Sequence, residues 1–122
     1  MRELGKTVSD YYPHIDAVDV DWVIALFADD AVYFRADAVY CGRPAIARFF
    51  REERKIRGRH TIEQMWVDQA STSVIVVGEF EGHGACGDSR CVGFADQWRF
   101  NESGLVTQRR TFLALGHKYV ER

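Results

Sequence analysis

Apolar residues in the first stretch of the chain fall at Leu4, Val8, Tyr11, Tyr12 and Ile15, spacings of three and four that place one buried stripe on a helix. The spacing predicts a first helix over residues 2–18. Pro13 lies inside it, where a missing backbone donor and a crowded preceding turn predict either a kink or a fresh start. Asp19 has the chemistry of an N-cap for a second short helix carrying Trp22, Val23, Leu26 and Phe27, which Asp29 and Asp30 then end. From Ala31 to Cys41 the residues turn β-branched and aromatic, broken by Arg35-Ala36-Asp37, which predicts two short paired strands. Gly42-Arg43-Pro44 opens a third helix with Ile46, Phe49 and Phe50 as its inner stripe, and Gly58 closes it.

Beyond Arg59 the apolar period falls toward two, and residues 60–68, 71–85, 90–100 and 104–115 read as strands. The breakers between them are Ala70-Ser71, residues 86–89 and residues 101–104. Four long strands joined by short turns make an antiparallel meander. Three helices first and a strongly bent sheet afterwards give a segregated α+β domain over residues 1–122, the helices covering one face.

Composition narrows the function classes. The chain has 122 residues, 47% of them hydrophobic and 28% charged, which suits one globular core. Sixteen Lys and Arg against eighteen Asp and Glu give a formal net charge of −2, which argues against a general nucleic-acid binder. The longest charge-free apolar segment is far short of the ~20 residues that span a bilayer, and the N-terminus lacks an apolar signal core. A soluble cytoplasmic protein with no membrane partner is expected. Three cysteines argue against a disulfide scaffold, and His83 with Cys86 and Cys91 falls short of four zinc ligands, so neither metal nor other cofactor is expected.

The stretch from Asp19 to Ala31 with its Leu-Phe-Ala-Asp-Asp-Ala ending, the Gly42-Arg-Pro-Ala-Ile46 element with Phe49-Phe50, and the later Asp96-Gln-Trp-Arg-Phe-Asn101 with Gly104 together resemble the nuclear-transport-factor-2-like superfamily. The likeness is to its SnoaL-like, ketosteroid-isomerase-like and scytalone-dehydratase-like branches. The resemblance implies a cystatin-like α+β roll, a curved sheet wrapped into a cone that the helices close around an apolar ligand. It also implies a homodimer formed through the sheet. It says little about chemistry, because such folds carry isomerases, dehydratases, cyclases, epoxide hydrolases and non-catalytic binders.

His60 is the leading candidate for chemistry, since an imidazole with an ordinary pKa near 6.5 suits proton transfer at neutral pH. Strand alternation sends Ile62, Gln64 and Trp66 to the same side, which the resemblance places inward. In the scytalone-dehydratase-like branch a histidine at the corresponding place is oriented by an aspartate late in the first helix, and Asp16 matches that aspartate. On the strand 90–100 the alternating set Val92, Phe94, Asp96, Trp98 and Phe100 makes an apolar row with one carboxyl in it. An isolated buried carboxyl prefers to be neutral and to donate a hydrogen bond; the alternative for Asp96 is a dimer-interface or strand-edge carboxylate paired with an arginine. Ketosteroid isomerase pairs such an acid with a tyrosine, and by resemblance Asp96 and Tyr11 match the two. The isomerase's catalytic base has no counterpart, because Arg35 stands near its place. Tyr11 and Tyr12 are adjacent, so only one of them can point straight into the cone.

Trp22, Phe34 and Phe50 are expected to complete the chamber wall, together with Arg109, Thr111 and Leu113 on one face of the last strand. The opposite face, Arg110 and Phe112, is the alternative, and Arg35 and Arg109 are expected at the rim or an interface. An arginine inside would favour a carboxylate-bearing or enolate-forming substrate. The charged run from Arg48 to Arg59 reads as a solvated helix face. The expected function is a cofactor-independent lyase or isomerase, of polyketide-cyclase or dehydratase type, acting by general acid–base catalysis on an apolar, cyclic, carbonyl-bearing small molecule. The alternatives are a non-catalytic ligand-binding module, a protein-interaction subunit of the same fold, and an epoxide hydrolase needing an Asp-Arg-Asp arrangement around a water.

Overall fold

The apolar stripe of the first helix is what α1, Leu4–Asp16, buries: Leu4, Val8, Tyr11, Tyr12 and Ile15 are each at most 2% exposed in the computed structural model, which describes residues 3–35 and 38–114. Side chains of this size contribute roughly 1.5–3 kcal/mol each when removed from water. Pro13 stands on the solvent side of an unbroken helix and its carbonyl still accepts the Ala17 N–H at 3.0 Å, so the helix does not restart there. The donor that proline lacks is lost on a face where water can satisfy the carbonyl left behind.

A short helix α2, Val20–Ile24, follows, and β1 runs from Phe27 to Arg35. The strand therefore begins four residues before the expected start at Ala31, and Asp29-Asp30 lies within it rather than ending a helix. Pairing decides this, because β1 lies parallel to the last strand and the Val106 N–H donates to the Leu26 carbonyl at 2.8 Å. Strand β2, Ala38–Cys41, returns antiparallel to β1. Gly42 then turns the chain at φ +87°, a conformation that favours glycine, into α3, Arg43–Arg48, with Pro44 in its first turn. The third helix is shorter than expected. It passes into a π-helical turn, Phe49–Glu53, closed by the Arg54 N–H donating to the Phe49 carbonyl at 2.8 Å, and the next strand begins at Arg57.

Strands β3 (Arg57–Asp68), β4 (Ser73–His83), β5 (Ser89–Phe100) and β6 (Val106–Ala114) form the antiparallel meander read from the sequence. The full sheet is mixed, six-stranded, curved and unclosed, in the order β2-β1-β6-β5-β4-β3. Val74, Val76, Phe80, Phe94, Trp98, Phe100 and Val106 are buried, and α1 packs across β3 and β4. Trp66, Ile75 and Phe112 on the outer face are 49%, 42% and 52% exposed. One irregularity matters for the site: the β3–β4 register shifts between Ile62 and Gln64, so His60 and Ile62 share the inner face while Gln64 and Trp66 turn outward. Among the described residues no helix is long and apolar enough to cross a membrane.

Candidate functional site

The inner face of the sheet and α1 enclose a cavity of about 210 Å³. One side of it is apolar. There the His60 ring lies 4.8 Å from Phe80, 5.3 Å from Phe94 and 5.3 Å from Tyr12, measured between ring centroids. Asp16, the last residue of α1, meets His60 at the start of β3, and its carboxylate takes two hydrogen bonds from that one residue. Nδ1–H donates to Oδ1 at 2.5 Å and the backbone N–H donates to Oδ2 at 2.8 Å. Holding main chain and ring together fixes both the position of the imidazole and its tautomer, leaving Nε2 on the chamber side with no hydrogen bond among the described residues. Burial pushes the His60 pKa below 6.5, and the hydrogen bond to Asp16 opposes part of that shift. The ring is therefore a neutral base at neutral pH.

The other side of the cavity is a polar network around Asp96 and Arg109, which are 1% and 4% exposed. Arg109 donates to Asp96 Oδ2 at 3.0 Å and to the Tyr11 hydroxyl oxygen at 2.6 Å. Asp96 also accepts from the hydroxyls of Tyr12 and Thr111, each at 2.5 Å. Since Thr111 spends its proton on Asp96, it accepts from the Tyr33 hydroxyl at 3.2 Å. The guanidinium lies over Tyr11, Trp98 and Tyr33, with its carbon 4.4, 4.4 and 4.8 Å from their ring centroids. Burial opposes the charge of Arg109, yet Asp96 and the surrounding tyrosines outweigh it and hold the pKa well above the usual arginine range.

The two adjacent tyrosines end in different states. Tyr12 gives its proton to Asp96, and its oxygen receives the Trp98 indole N–H at 3.4 Å. Tyr11 receives from Arg109 and, among the described residues, keeps its own O–H free at the cavity wall. Burial raises both phenol pKa values, Tyr12 the further, and Arg109 opposes the shift in each. On the His60 side the chamber thus offers an accepting nitrogen, on His60, and a polarised hydroxyl donor, on Tyr11.

A SnoaL-like domain profile matches residues 8–109. The chain belongs to the SnoaL-like family. Solved structures agree on the fold. An NTF2-like protein of unknown function from Burkholderia pseudomallei superposes with a TM-score of 0.81 at 18% identity, over 93% of this chain and 92% of that one. SalBIII, described as an epoxide hydrolase/cyclase-like enzyme with a role in pyran ring formation in the polyether salinomycin, gives 0.78 at 18% identity over 92% and 91%. A protein with a ketosteroid isomerase-like fold from Catenulispora acidiphila, in complex with trimethylamine, gives 0.74 at 19% over 88% and 85%. No curated protein matches the sequence. At these identities the likeness speaks for the fold alone.

Within the SnoaL-like cone, Tyr11, His60, Phe94, Asp96, Arg109, Thr111 and Leu113 line the cavity, with Asp16 directly behind His60. Tyr12 and Trp98 sit one layer below the wall, in the Asp96 network. Six others lie elsewhere. Phe34 points outward beneath Arg110, whose guanidinium carbon is 4.0 Å from its ring centroid, because Tyr33 and Arg35 take the inner face of β1. Phe50 is core against Phe27 and Tyr33. Trp22 stacks on His14 at 3.8 Å beside α1. Ile62 packs into the core, and the β3 bulge turns Gln64 and Trp66 to the outer face.

Two charged residues that the sequence leaves open take definite places. Asp96 is the acceptor of three donors rather than a solitary acid donating a proton. Arg109 is inside the chamber rather than at a rim. Among the described residues no second carboxylate pairs with Arg109, so the Asp-Arg-Asp arrangement of an epoxide hydrolase is incomplete. Cys91 stands opposite Glu81 in the sheet. Sequence reasoning missed Tyr33, Arg54, Ile56, Phe80 and Arg90 in the wall. Phe80 was within reach, as an aromatic on the alternating inner set of β4, and so was Tyr33, two residues before Arg35. Arg54 was not, since only the π-helical turn brings it inward.

Proposed function

We propose that this single SnoaL-like domain is a cofactor-independent lyase or isomerase that moves a proton on a small, cyclic, carbonyl-bearing molecule. The observation that carries the reading is the doubly held His60, whose free Nε2 shares a cavity with the free O–H of Tyr11. Nε2 takes the proton from the carbon next to the carbonyl, and Tyr11, polarised by Arg109, donates its hydrogen bond to the oxygen that gains charge. The imidazolium, stabilised by Asp16, returns the proton. Delivered to another carbon it completes a double-bond shift, and delivered to a departing hydroxyl it completes a dehydration. If the enolate carbon instead attacks a second carbonyl, the outcome is an aldol cyclisation. At about 210 Å³ the cavity is smaller than the roughly 300–1,000 Å³ typical of sites for drug-sized ligands, which favours a substrate of one ring.

The test is solvent deuterium exchange. Wild-type protein is expected to accelerate loss of the α-proton signal in at least one member of a panel of one-ring ketones followed by NMR, and His60→Gln to abolish the acceleration. No exchange with any member, together with ligand affinity unchanged in His60→Gln and Asp16→Asn, would establish the non-catalytic binding module instead. The protein is taken to work in the cytoplasm as a homodimer, a second copy covering the outer face where Trp66, Ile75 and Phe112 are exposed. Sedimentation equilibrium of wild type against Phe112→Glu tests this, a shift from dimer to monomer being the expected result.

A further inference from the structure

Four guanidiniums reach the cavity, from Arg35, Arg54, Arg90 and Arg109. Two of them are neutralised, Arg109 by Asp96 at 3.0 Å and Arg90 by Asp88 at 2.7 Å. Arg35 and Arg54 have no carboxylate within 4 Å among the described residues. Arg35 lies over the Phe49 ring at 4.9 Å. Arg54 is the more telling of the two. It is only 8% exposed, and it gives one N–H to the Ile56 carbonyl at 3.2 Å. Its side chain lines the cavity, and among the described residues its other guanidinium donors have no hydrogen-bond partner. Arg109 adds a further donor in excess, since its buried Nε makes no hydrogen bond.

A buried charge is ordinarily paired, because removing it from water without a partner costs several kcal/mol. Among the described residues, a wall with two unneutralised guanidiniums and an unmatched N–H is short of negative charge and of acceptors. Burial pushes the Arg54 pKa below the usual arginine range and Tyr11 and Tyr33 oppose only part of that shift, since a neutral hydroxyl does not balance a guanidinium. The apolar surface of Phe80, Val92 and Phe94 lies around His60, so the cavity has a greasy part and a cationic part.

The geometry points to a carboxylate-binding subsite at Arg54, assisted by Arg35, so that the ligand of this chamber is a small keto acid whose carboxylate sits on the arginines while its ring rests against Phe80 and Phe94. This deepens the proton-transfer reading by naming the substrate class, yet it concerns binding and is tested without turnover. A carboxylate is chosen over a phosphate because one planar guanidinium fork matches its two oxygens, and because a small cavity has little room for a third charged oxygen beside a ring.

The experiment is calorimetric titration of the full chain with one-ring keto acids, each paired with its own primary amide. The amide keeps shape and hydrogen bonding but removes the charge. At least one acid is expected to bind tenfold or more tightly than its amide. Arg54→Gln is expected to remove that preference, Arg54→Lys to restore part of it, and His60→Gln to leave it intact. Where Arg54→Gln melts far below wild type, Arg35→Gln carries the same reading, with a preference reduced severalfold. Equal affinity within every pair, no binding by any acid, or a preference that survives both arginine substitutions overturns the proposal. Inorganic phosphate displacing the best acid at comparable concentration overturns the choice of carboxylate. Exchange activity on neutral ketones without acid preference would sink this inference alone, and acid preference without exchange would sink the catalytic reading alone.

Discussion

Two carboxylates hold cationic or potentially cationic groups in this chamber, and they are finished to different degrees. Asp96 is closed in: Arg109, Tyr12 and Thr111 all donate to it, and it is 1% exposed. Asp16 is half-open, and it spends both oxygens on a single partner whose far nitrogen remains free. A carboxylate bonded by three donors in a low-dielectric interior holds shape and is committed to those partners. An unsaturated pair leaves one atom able to react. The same contrast separates Tyr12, which is committed, from Tyr11, which is not.

The sharpest way to break the comparison is at Arg109. Arg109→Leu leaves Asp96 buried without its counter-charge and is expected to cost about 3–5 kcal/mol of stability, read as a lower urea midpoint. Adding Asp96→Leu should recover more than half of that loss, because an unpaired charge costs more than the pair contributes. A single substitution costing less than about 1 kcal/mol would mean that the network does not hold the fold.

At the open pair the effect is on rate. His60→Gln is expected to lower proton exchange by 10²–10⁴-fold, the range for a placed general base, while the urea midpoint moves little. Asp16→Asn should lower exchange as well, since an amide can present its own N–H to Nδ1 and so disfavour the tautomer with a free Nε2. If both variants keep wild-type exchange on a substrate that wild type processes, the base lies elsewhere.

The tyrosines sharpen the contrast at smaller scale. Tyr11→Phe removes the free donor and is expected to reduce exchange on the order of 10²-fold with a modest change in stability. Tyr12→Phe leaves Asp96 one donor short and should instead cost about 1–3 kcal/mol with exchange near wild type. The reverse pattern would exchange the roles assigned to the two rings.

Much of the cone was readable in the chain because it rests on period. The stripe on α1 and the alternating row Val92, Phe94, Asp96, Trp98 and Phe100 record which face is buried, and burial is what periodicity encodes. The misplacements occur where a local irregularity resets the count. One extra residue between Ile62 and Gln64 turns Gln64 and Trp66 away, and the π-helical turn after Arg48 swings Arg54 inward from a run that looks like solvated surface. On β1, Phe34 was favoured for its ring, yet parity gives the inner face to Tyr33 and Arg35. Asp96 stayed open between two readings for another reason. Its partners lie up to 84 residues away in sequence, and no local pattern reveals that Tyr12, Arg109 and Thr111 converge on it.

The smallest effect is in pH, and its sign follows from His60. Burial lowers its folded pKa below the unfolded value of 6.5, so as pH falls through 6.5 the unfolded chain takes up a proton that the folded ring still refuses. Stability is therefore full above 6.5 and declines below it until the folded imidazole itself titrates. His60→Gln should flatten that decline in a urea titration repeated between pH 7.5 and pH 5, leaving only the slope contributed by other groups. The same depressed pKa places the acid limb of exchange activity below pH 6.5. Asp16→Asn removes the hydrogen bond that opposes the shift, so any residual activity should show a limb displaced further toward acid. A limb above 6.5 in wild type would mean that the imidazole is better solvated, or more strongly paired, than its place between Phe80 and Phe94 allows.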